Sequence, residues 1–231
     1  MRNATLGMVA ASAAIAIPLA LASVSLAQAP APAAAPAPPA PIMPPSLPAT
    51  FEIDLMTPQG SGAVGAQWRT MEAKVVEAKP IPEHLPGYNA GYDISPHAGE
   101  AGFDDSKWPA IQAADLSARR GGGHVSFQWF RSNLTIPAKV GDFDTAGARA
   151  VLTVLVDDYA EVWVNGQMPR RAGSPSPATI QGFNMPNRVV LSDSVKAGDK
   201  FQIAVFGING PISVAPPNTV WFRMAKLEFY K

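Results

Sequence analysis

Short apolar runs broken by turn residues are the feature that most narrows the fold of this chain. Ala160, Val162 and Val164 alternate with polar or aromatic residues, and Asn165-Gly166 follows directly. Alternation with a period of two is typical of a strand with one buried face. Asn-Gly after such a run predicts a type I′ turn, in which both central residues need a positive φ. The segment therefore predicts a β-hairpin.

Other stretches predict more strands and no long helix. Residues 150–156 are apolar at both odd and even positions, whose side chains point to opposite faces of a strand. This pattern is typical of a strand covered on two sides. Within residues 125–136 the apolar side chains shift from odd to even positions, which predicts a bulge or bend in the strand. Further strands are predicted at 71–75, 201–208 and 219–230, with a turn at Gly198-Asp199. Short strands at turn-like spacing favour an all-β fold, a jelly-roll β-sandwich.

The first fifty residues differ from the rest and predict a leader and a spacer. Arg2 precedes a long uncharged stretch, and Ser25 and Ala27 place small residues where a signal peptidase reads them. We predict a signal peptide at 1–27, with an uncleaved membrane anchor as the alternative. Residues 28–50 predict a Pro/Ala-rich linker in extended polyproline II, with a disordered tail of no separate role as the alternative, followed by a domain at 51–231. The protein is expected to be periplasmic or secreted, without stable membrane insertion after cleavage.

Composition excludes several classes of protein. The chain has no cysteine, so a lipoprotein anchor and a disulfide framework are both ruled out. The domain must therefore be stabilised by its own core. Because 18 basic residues balance 18 acidic ones, no net field attracts polyanions, and nucleic acid is not an expected partner.

Three segments resemble motifs of a known fold family. They are Phe103-Asp104-Asp105-Ser106-Lys107-Trp108, then Trp129-Phe130-Arg131 with Leu134-Thr135-Ile136-Pro137, then the run from Asp157 to Gly166. Their order and spacing resemble galactose-binding-like jelly rolls, including the sugar-binding domain of family 2 glycoside hydrolases. The resemblance implies the galactose-binding-like form of the sandwich.

A narrower resemblance covers the C-terminal part. The segments 206–211 and 221–223, with Asn218 between them, resemble a jelly-roll domain that precedes SMP-30/gluconolactonase-like propellers in some bacterial exported proteins. This sequence stops at Lys231, where the propeller would begin. The resemblance therefore implies an accessory domain without lactonase activity.

No residue pattern predicts an enzyme. The three histidines, His84, His97 and His124, accompany neither a nucleophile motif nor zinc-ligand spacing. The pairs Asp104-Asp105 and Asp157-Asp158 could serve a glycosidase, which needs two carboxylates. We predict structural roles for both, such as capping backbone N–H groups in a turn. A structural calcium ion is the alternative for either pair, and no other cofactor is predicted.

Five residues are candidate ligand contacts. Tyr159 and Trp163 could stack on the apolar face of a sugar, and Asn209 and Asn218 could supply amides. Arg223 could donate to a sugar hydroxyl. The simpler interpretation, which we favour, is that Trp163 only covers the sheet or a neighbouring loop.

The parity of Arg223 favours a structural role for it. Arg223 shares parity with core-type residues, so it should face the core if its strand is unbulged. A buried arginine must be paired, which favours a salt bridge with Asp157 or Asp158, or stacking on an aromatic ring, over a ligand contact.

These observations favour a non-catalytic exported module that binds a carbohydrate or a cell-envelope glycan. The alternative is a protein–protein adaptor or accessory domain for a separate lactonase-like propeller enzyme. A hydrolase with an unrecognised site is the third hypothesis.

Overall fold

The computed structural model describes residues 48–78, 91–168, 184–210 and 217–231. The predicted signal peptide and nearly all of the predicted linker lie outside these residues, as does His84, and the predictions for them stay untested. Within the described ranges, no helix has the length and apolar character needed to cross a membrane.

The described residues are almost entirely β-structure. The short helix α1 (Pro58–Ala63) follows the first strand, and a 3₁₀ turn (Ala113–Ser117) follows the fifth. In chain order the strands are β1 (Phe51–Asp54), β2 (Trp68–Glu72), β3 (Lys74–Ala78), β4 (Gly91–Ser95), β5 (Ala110–Ile111), β6 (Ser126–Thr135), β7 (Lys139–Val140), β8 (Phe143–Asp144), β9 (Arg149–Asp157), β10 (Tyr159–Val164), β11 (Asn187–Ser192), β12 (Lys200–Asn209) and β13 (Trp221–Tyr230).

Two antiparallel sheets form a sandwich. One has the strand order β1-β13-β9-β11, and the other has the order β10-β12-β6-β2-β5. Two small two-stranded ribbons, β3-β4 and β7-β8, lie outside these sheets. The described strands thus confirm the predicted all-β sandwich.

The main core lies between the two sheets. Phe130 of the five-stranded sheet meets Phe222 of the four-stranded sheet edge to face, with ring centroids 4.8 Å apart. Trp68 packs on the same ring at 5.8 Å, and all three side chains are fully buried. Burial of this apolar surface stabilises the fold without the disulfides that the composition excludes.

A second apolar cluster lies on the outer face of the five-stranded sheet. Residues 96–108, here called the covering loop, cross that face and bury Trp129 and Phe206 against Ala98 and Trp108. Phe103 of the loop packs edge-on against Trp108 at 5.3 Å. The five-stranded sheet is therefore covered on both faces for part of its area.

This covering corrects the interpretation of residues 125–136. The predicted bulge is wrong: β6 pairs with β12 in unbroken register from Ser126 to Thr135. Phe130 faces the main core, while Trp129 faces the covering loop, so both parities are apolar along one straight strand. The prediction of a strand covered on two sides is confirmed for β9, where Val151 and Thr153 of the outer face are also buried.

The predicted tight turn at Asn165-Gly166 is confirmed. Asn165 has φ 52° and Gly166 has φ 83°. Val164 and Gln167 exchange both backbone hydrogen bonds, at 2.7 and 3.1 Å. The predicted turn at Gly198 also forms, with φ 87°. The run at 71–75, by contrast, is two strands, because the chain leaves the sheet after Glu72 and β3 pairs with β4.

Candidate functional site

Trp163 does not form an open platform. Its side chain is on the outer face of β10 and packs against the second apolar cluster under the covering loop. A Cβ atom at Gly99 of that loop would lie 2.8 Å from the Trp163 ring, so glycine is what allows the close approach. The indole N–H of Trp163 donates to Glu161 at 3.3 Å, and burial raises the pKa of that carboxyl. The favoured interpretation, that Trp163 covers the sheet beside a loop, matches this placement.

The two candidate asparagines are buried and use their amides inside the protein. The side-chain amide of Asn209 donates to the Thr219 carbonyl at 2.5 Å and to Asp157 at 3.2 Å. The side-chain amide of Asn218 donates to the His124 carbonyl at 2.5 Å. Both amides therefore hold the segment before β13 in place.

Arg223 does not face the core. The register of β13 against β9 shifts between Phe222 and Met224, which is a β-bulge at Arg223. The bulge returns Phe222 to the core and turns Arg223 outward, with its side chain about half exposed (48 %). Arg223 contacts Asp157 at 3.7 Å and donates to the Asn184 side chain at 2.8 Å. The conditional prediction of a core-facing arginine is wrong, while pairing with Asp157 is observed.

Asp157 and Asp158 join several of these residues at one end of the sandwich. Asp158 is buried, and its carboxylate accepts the Gly210 backbone N–H at 3.2 Å. Burial raises the pKa of Asp158, opposed by that hydrogen bond. Tyr159 follows on β10, opposite Ile208 and half-buried. The structure thus brings Tyr159, Asn209 and Arg223 toward one end, while Trp163 lies further along β10.

A buried arginine that the sequence reasoning did not single out organises the other side of the molecule. Arg131 on β6 is only 3 % exposed and forms an ion pair with Asp105 of the covering loop, Nε to Oδ2 at 2.8 Å. Its guanidinium also donates to three loop carbonyls, at Ala98, Glu100 and Phe103. The two resembled motifs, around 103–108 and 129–131, meet at this pair. The pair holds the covering loop on the sheet.

The neighbouring Asp104 is a turn cap, as predicted. It accepts the Ser106 backbone N–H at 2.9 Å, and this hydrogen bond holds the pKa of its carboxyl below the ordinary value. Among the described residues, no group of three or more His, Cys, Asp or Glu side chains is placed to hold a metal ion. The predicted alternative of a structural calcium ion stays a prediction.

A polar cleft opens beside the Arg131–Asp105 pair. It has a volume of about 340 Å³, within the usual range for small-molecule sites. The lining combines sheet residues with the edge of the covering loop: Gly65, Gln67, Arg69, Asp105, Ser106, Ser132 and Asn133. We call it the polar cleft, and it is the candidate binding site.

Fixed partners hold the charged groups of the polar cleft. Arg69 lies directly opposite Arg131 on the neighbouring strand, and Asp105 contacts both, with Arg69 at 3.8 Å. Arg69 also donates to the Trp108 carbonyl at 2.7 Å. Asp105 therefore lies between two adjacent guanidinium groups and contacts both.

Several hydrogen-bonding groups of the polar cleft remain available. Asn133 is exposed and lines the cleft, and among the described residues no hydrogen bond engages its carboxamide. The Nη1 atom of Arg69 is used by the Trp108 carbonyl, whereas its Nη2 atom makes a long hydrogen bond of 3.4 Å to the Gln67 side-chain oxygen. The cleft therefore offers donors and acceptors that a polar ligand could use.

Comparison with known proteins gives only distant similarities. No family model and no curated protein matches the chain. A calcium-binding mutant of Bacteroides uniformis β-glucuronidase 2 is 18% identical, with a TM-score of 0.40, over 71% of this chain and 18% of that one. A glycosyl hydrolase family 2 member from Bacteroides cellulosilyticus is 15% identical, with a TM-score of 0.39, over 71% of this chain and 20% of that one.

A Faecalibacterium prausnitzii β-glucuronidase is 14% identical, with a TM-score of 0.32, over 71% of this chain and 31% of that one. The chain thus spans about a fifth of the length of the first two enzymes. Similarities at this level carry no conclusion about activity. The all-β sandwich follows from the strands and core of this chain itself.

Proposed function

We propose that this chain is an exported, non-catalytic accessory module that binds a glycan in the polar cleft. The observation that carries the proposal is the available carboxamide of Asn133 beside the anchored guanidinium of Arg69. A carboxamide offers donors and an acceptor, and a guanidinium offers several donors in a fixed plane. Sugar hydroxyls both donate and accept, so this combination matches them.

The character of the cleft favours a hydroxyl-rich ligand over an apolar one. Most small-molecule pockets are lined by apolar and aromatic side chains with a few polar groups. The polar cleft reverses this balance, since every side chain in its lining is polar and only Gly65 lacks one. An apolar ligand would leave these groups unpaired, at a cost in free energy.

Rigidity supports the proposal as well. Arg131 holds Asp105 and the covering loop, and Asp105 and the Trp108 carbonyl hold Arg69, so contacts within the protein fix the edge of the cleft. A preformed site loses less conformational entropy on binding than a loop that must become ordered. The candidate residues Asn209, Asn218 and Arg223 are proposed to stabilise the fold, because their polar groups already have protein partners.

Glycan-array binding of the full chain tests the proposal. The array should contain neutral hexose oligomers, uronate oligomers and peptidoglycan fragments. We expect binding to at least one class, and Asn133→Ala should weaken it about fivefold or more, the effect of one or two hydrogen bonds. Because Asn133 is exposed, this substitution should leave the thermal melt unchanged.

The matched control is Lys226→Gln on the opposite sheet, where Lys226 pairs with Glu52 far from the cleft. It should not alter glycan binding. Absence of binding to every class by the folded wild-type chain would refute the proposal. In that case the adaptor hypothesis would be the one to test.

A further inference from the structure

We infer that the polar cleft recognises two adjacent hydroxyl groups of a sugar through Asp105, and that Asp105 makes the cleft select hydroxyls over a sugar carboxylate. The inference rests on the proposed function, because it names the part of the glycan that the same cleft binds. Its basis is an acceptor oxygen and a donor group that lie side by side and are only partly used within the protein.

The two carboxylate oxygens of Asp105 have different surroundings. Oδ2 accepts from Nε of the buried Arg131 at 2.8 Å. Oδ1 lies 3.8 Å from Nε of Arg69, which is too long for a hydrogen bond. Because Asp105 and Arg69 both line the cleft, Oδ1 is the oxygen on the cleft side. An ionised carboxylate oxygen has two acceptor positions, so Oδ1 is placed to accept from a ligand.

Arg69 supplies a donor beside that oxygen. Its Nη1 atom donates to the carbonyls of Trp108 and Ser106, at 2.7 and 3.3 Å. Its Nη2 atom carries two hydrogens and makes one long hydrogen bond, at 3.4 Å, to Gln67. One Nη2 hydrogen can therefore serve a ligand that also reaches Oδ1 of Asp105.

The guanidinium of Arg131 is turned away from the cleft. Its Nε donates to Asp105, and its two other nitrogens donate to the covering-loop carbonyls of Ala98, Glu100 and Phe103. Among the described residues that line the cleft, Arg69 is therefore the only cation. An anionic ligand would meet one partly engaged guanidinium and, beside it, the negative charge of Asp105.

A sugar hydroxyl suits this arrangement better than a carboxylate does. A hydroxyl can accept from Arg69 and donate to Oδ1 of Asp105, whereas a carboxylate has no hydrogen to donate. A carboxylate would also leave Oδ1 unpaired and bring two like charges close together, and both effects weaken binding.

A second hydroxyl next to the first reaches Asn133. This residue follows Arg131 by two positions on the same face of β6, about 7 Å along the strand. Two adjacent hydroxyls, each forming a hydrogen bond of about 2.8 Å, can bridge Asp105 and Asn133. The cleft therefore fits a pair of neighbouring ring hydroxyls.

Titration of sugars that differ in one group tests the inference on the wild-type chain. The probes are the methyl pyranosides of glucose, galactose and mannose, their 3-deoxy analogues, which have no two adjacent ring hydroxyls, and the matching uronates. We expect at least one neutral glycoside to bind, and its 3-deoxy analogue to bind about tenfold or more weakly, because a site that hydrogen-bonds a hydroxyl rejects an analogue without it. The matching uronate should bind no more tightly than the neutral glycoside, even at low salt.

Asp105→Asn tests the role of the carboxylate itself. The new side chain must turn its oxygen toward Arg131, which places its NH₂ group on the cleft side. Neutral glycosides should then bind about fivefold more weakly, at a temperature where circular dichroism shows the variant folded, while uronates should lose no affinity. Asp104→Asn is the matched control, because Asp104 caps the adjacent turn outside the cleft lining. It should leave both affinities unchanged.

Three results would overturn the inference: tighter binding of a uronate than of its neutral glycoside, full affinity of the 3-deoxy analogue, or unchanged binding of neutral glycosides to folded Asp105→Asn. If that variant does not fold, the wild-type titrations decide. A chain that binds glycans on the array but none of these neutral glycosides would also overturn the inference and leave the proposed function standing. Absence of binding on the array would overturn both.

Discussion

Asp105→Asn should destabilise the domain by breaking the ion pair that holds the covering loop. Arg131 is almost completely buried, and its Nε lies 2.8 Å from the Asp105 carboxylate. The substitution keeps the size and one acceptor oxygen of the side chain but removes its charge. The buried guanidinium then loses the negative charge of Asp105.

The expected loss can be worked out from the surroundings of Arg131. Removing one partner of a buried pair costs about 3–5 kcal/mol. The loss here should be smaller, because Asn can still accept a hydrogen bond and Arg131 keeps its contacts with loop carbonyls. Asp105 is also 20 % exposed, so water can reach the site. We expect about 2–3 kcal/mol, or a fall in Tm of about 5–10 °C for a domain of this size.

Thermal and urea denaturation of Asp105→Asn and Asp104→Asn would measure the effect. Asp104 is the matched control, since Asn at this position can still accept the Ser106 N–H and no buried cation depends on it. The control should melt close to the wild type. If the two variants melted alike, the reasoning that Asp105 neutralises Arg131 would be refuted.

Three further predictions address the turn, the pH dependence and export. Gly166→Ala should destabilise the domain more than Gly198→Ala. Both glycines have positive φ, but only at Gly166 would a Cβ atom meet the Ala101 backbone. Equal losses of unfolding free energy, of about 1 kcal/mol each, would contradict this. Burial raises the pKa of Tyr230 to about 12, so stability should be full below pH ~10 and fall as pH rises toward 12. In thermal melts at alkaline pH, Tyr230→Phe should lose less stability than the wild type as the pH rises. The same dependence of Tm on pH in both proteins would contradict this prediction. N-terminal sequencing of envelope-derived protein should give Gln28 first, whereas an uncleaved chain would indicate an anchor.

Local sequence predicted those features that depend on neighbouring residues. The Asn165-Gly166 turn could be predicted because only residues that tolerate positive φ form it readily. The alternation of β10 and the apolar run of β9 likewise predicted their burial, because side-chain direction in a strand repeats every two residues. The all-β class follows from several such local signals together.

The candidate site depended on contacts between distant parts of the chain. The parity of Arg223 predicted a core position, and a bulge of one residue reversed it. Asn209 and Asn218 have amides suited to a ligand, yet both amides bond to backbone carbonyls that folding brings beside them. Nothing in their local sequence indicates those partners.

The sequence by itself therefore determined the strands, their tight turns and the need for a core without disulfides. Tertiary structure decided which polar side chains bond within the protein and which face the polar cleft. Arg131 and Asp105 are 26 residues apart, and their pairing places the covering loop over β6. That loop encloses Trp163 and leaves Asn133 open, because a loop covers only the part of a sheet that its anchoring contacts bring it across.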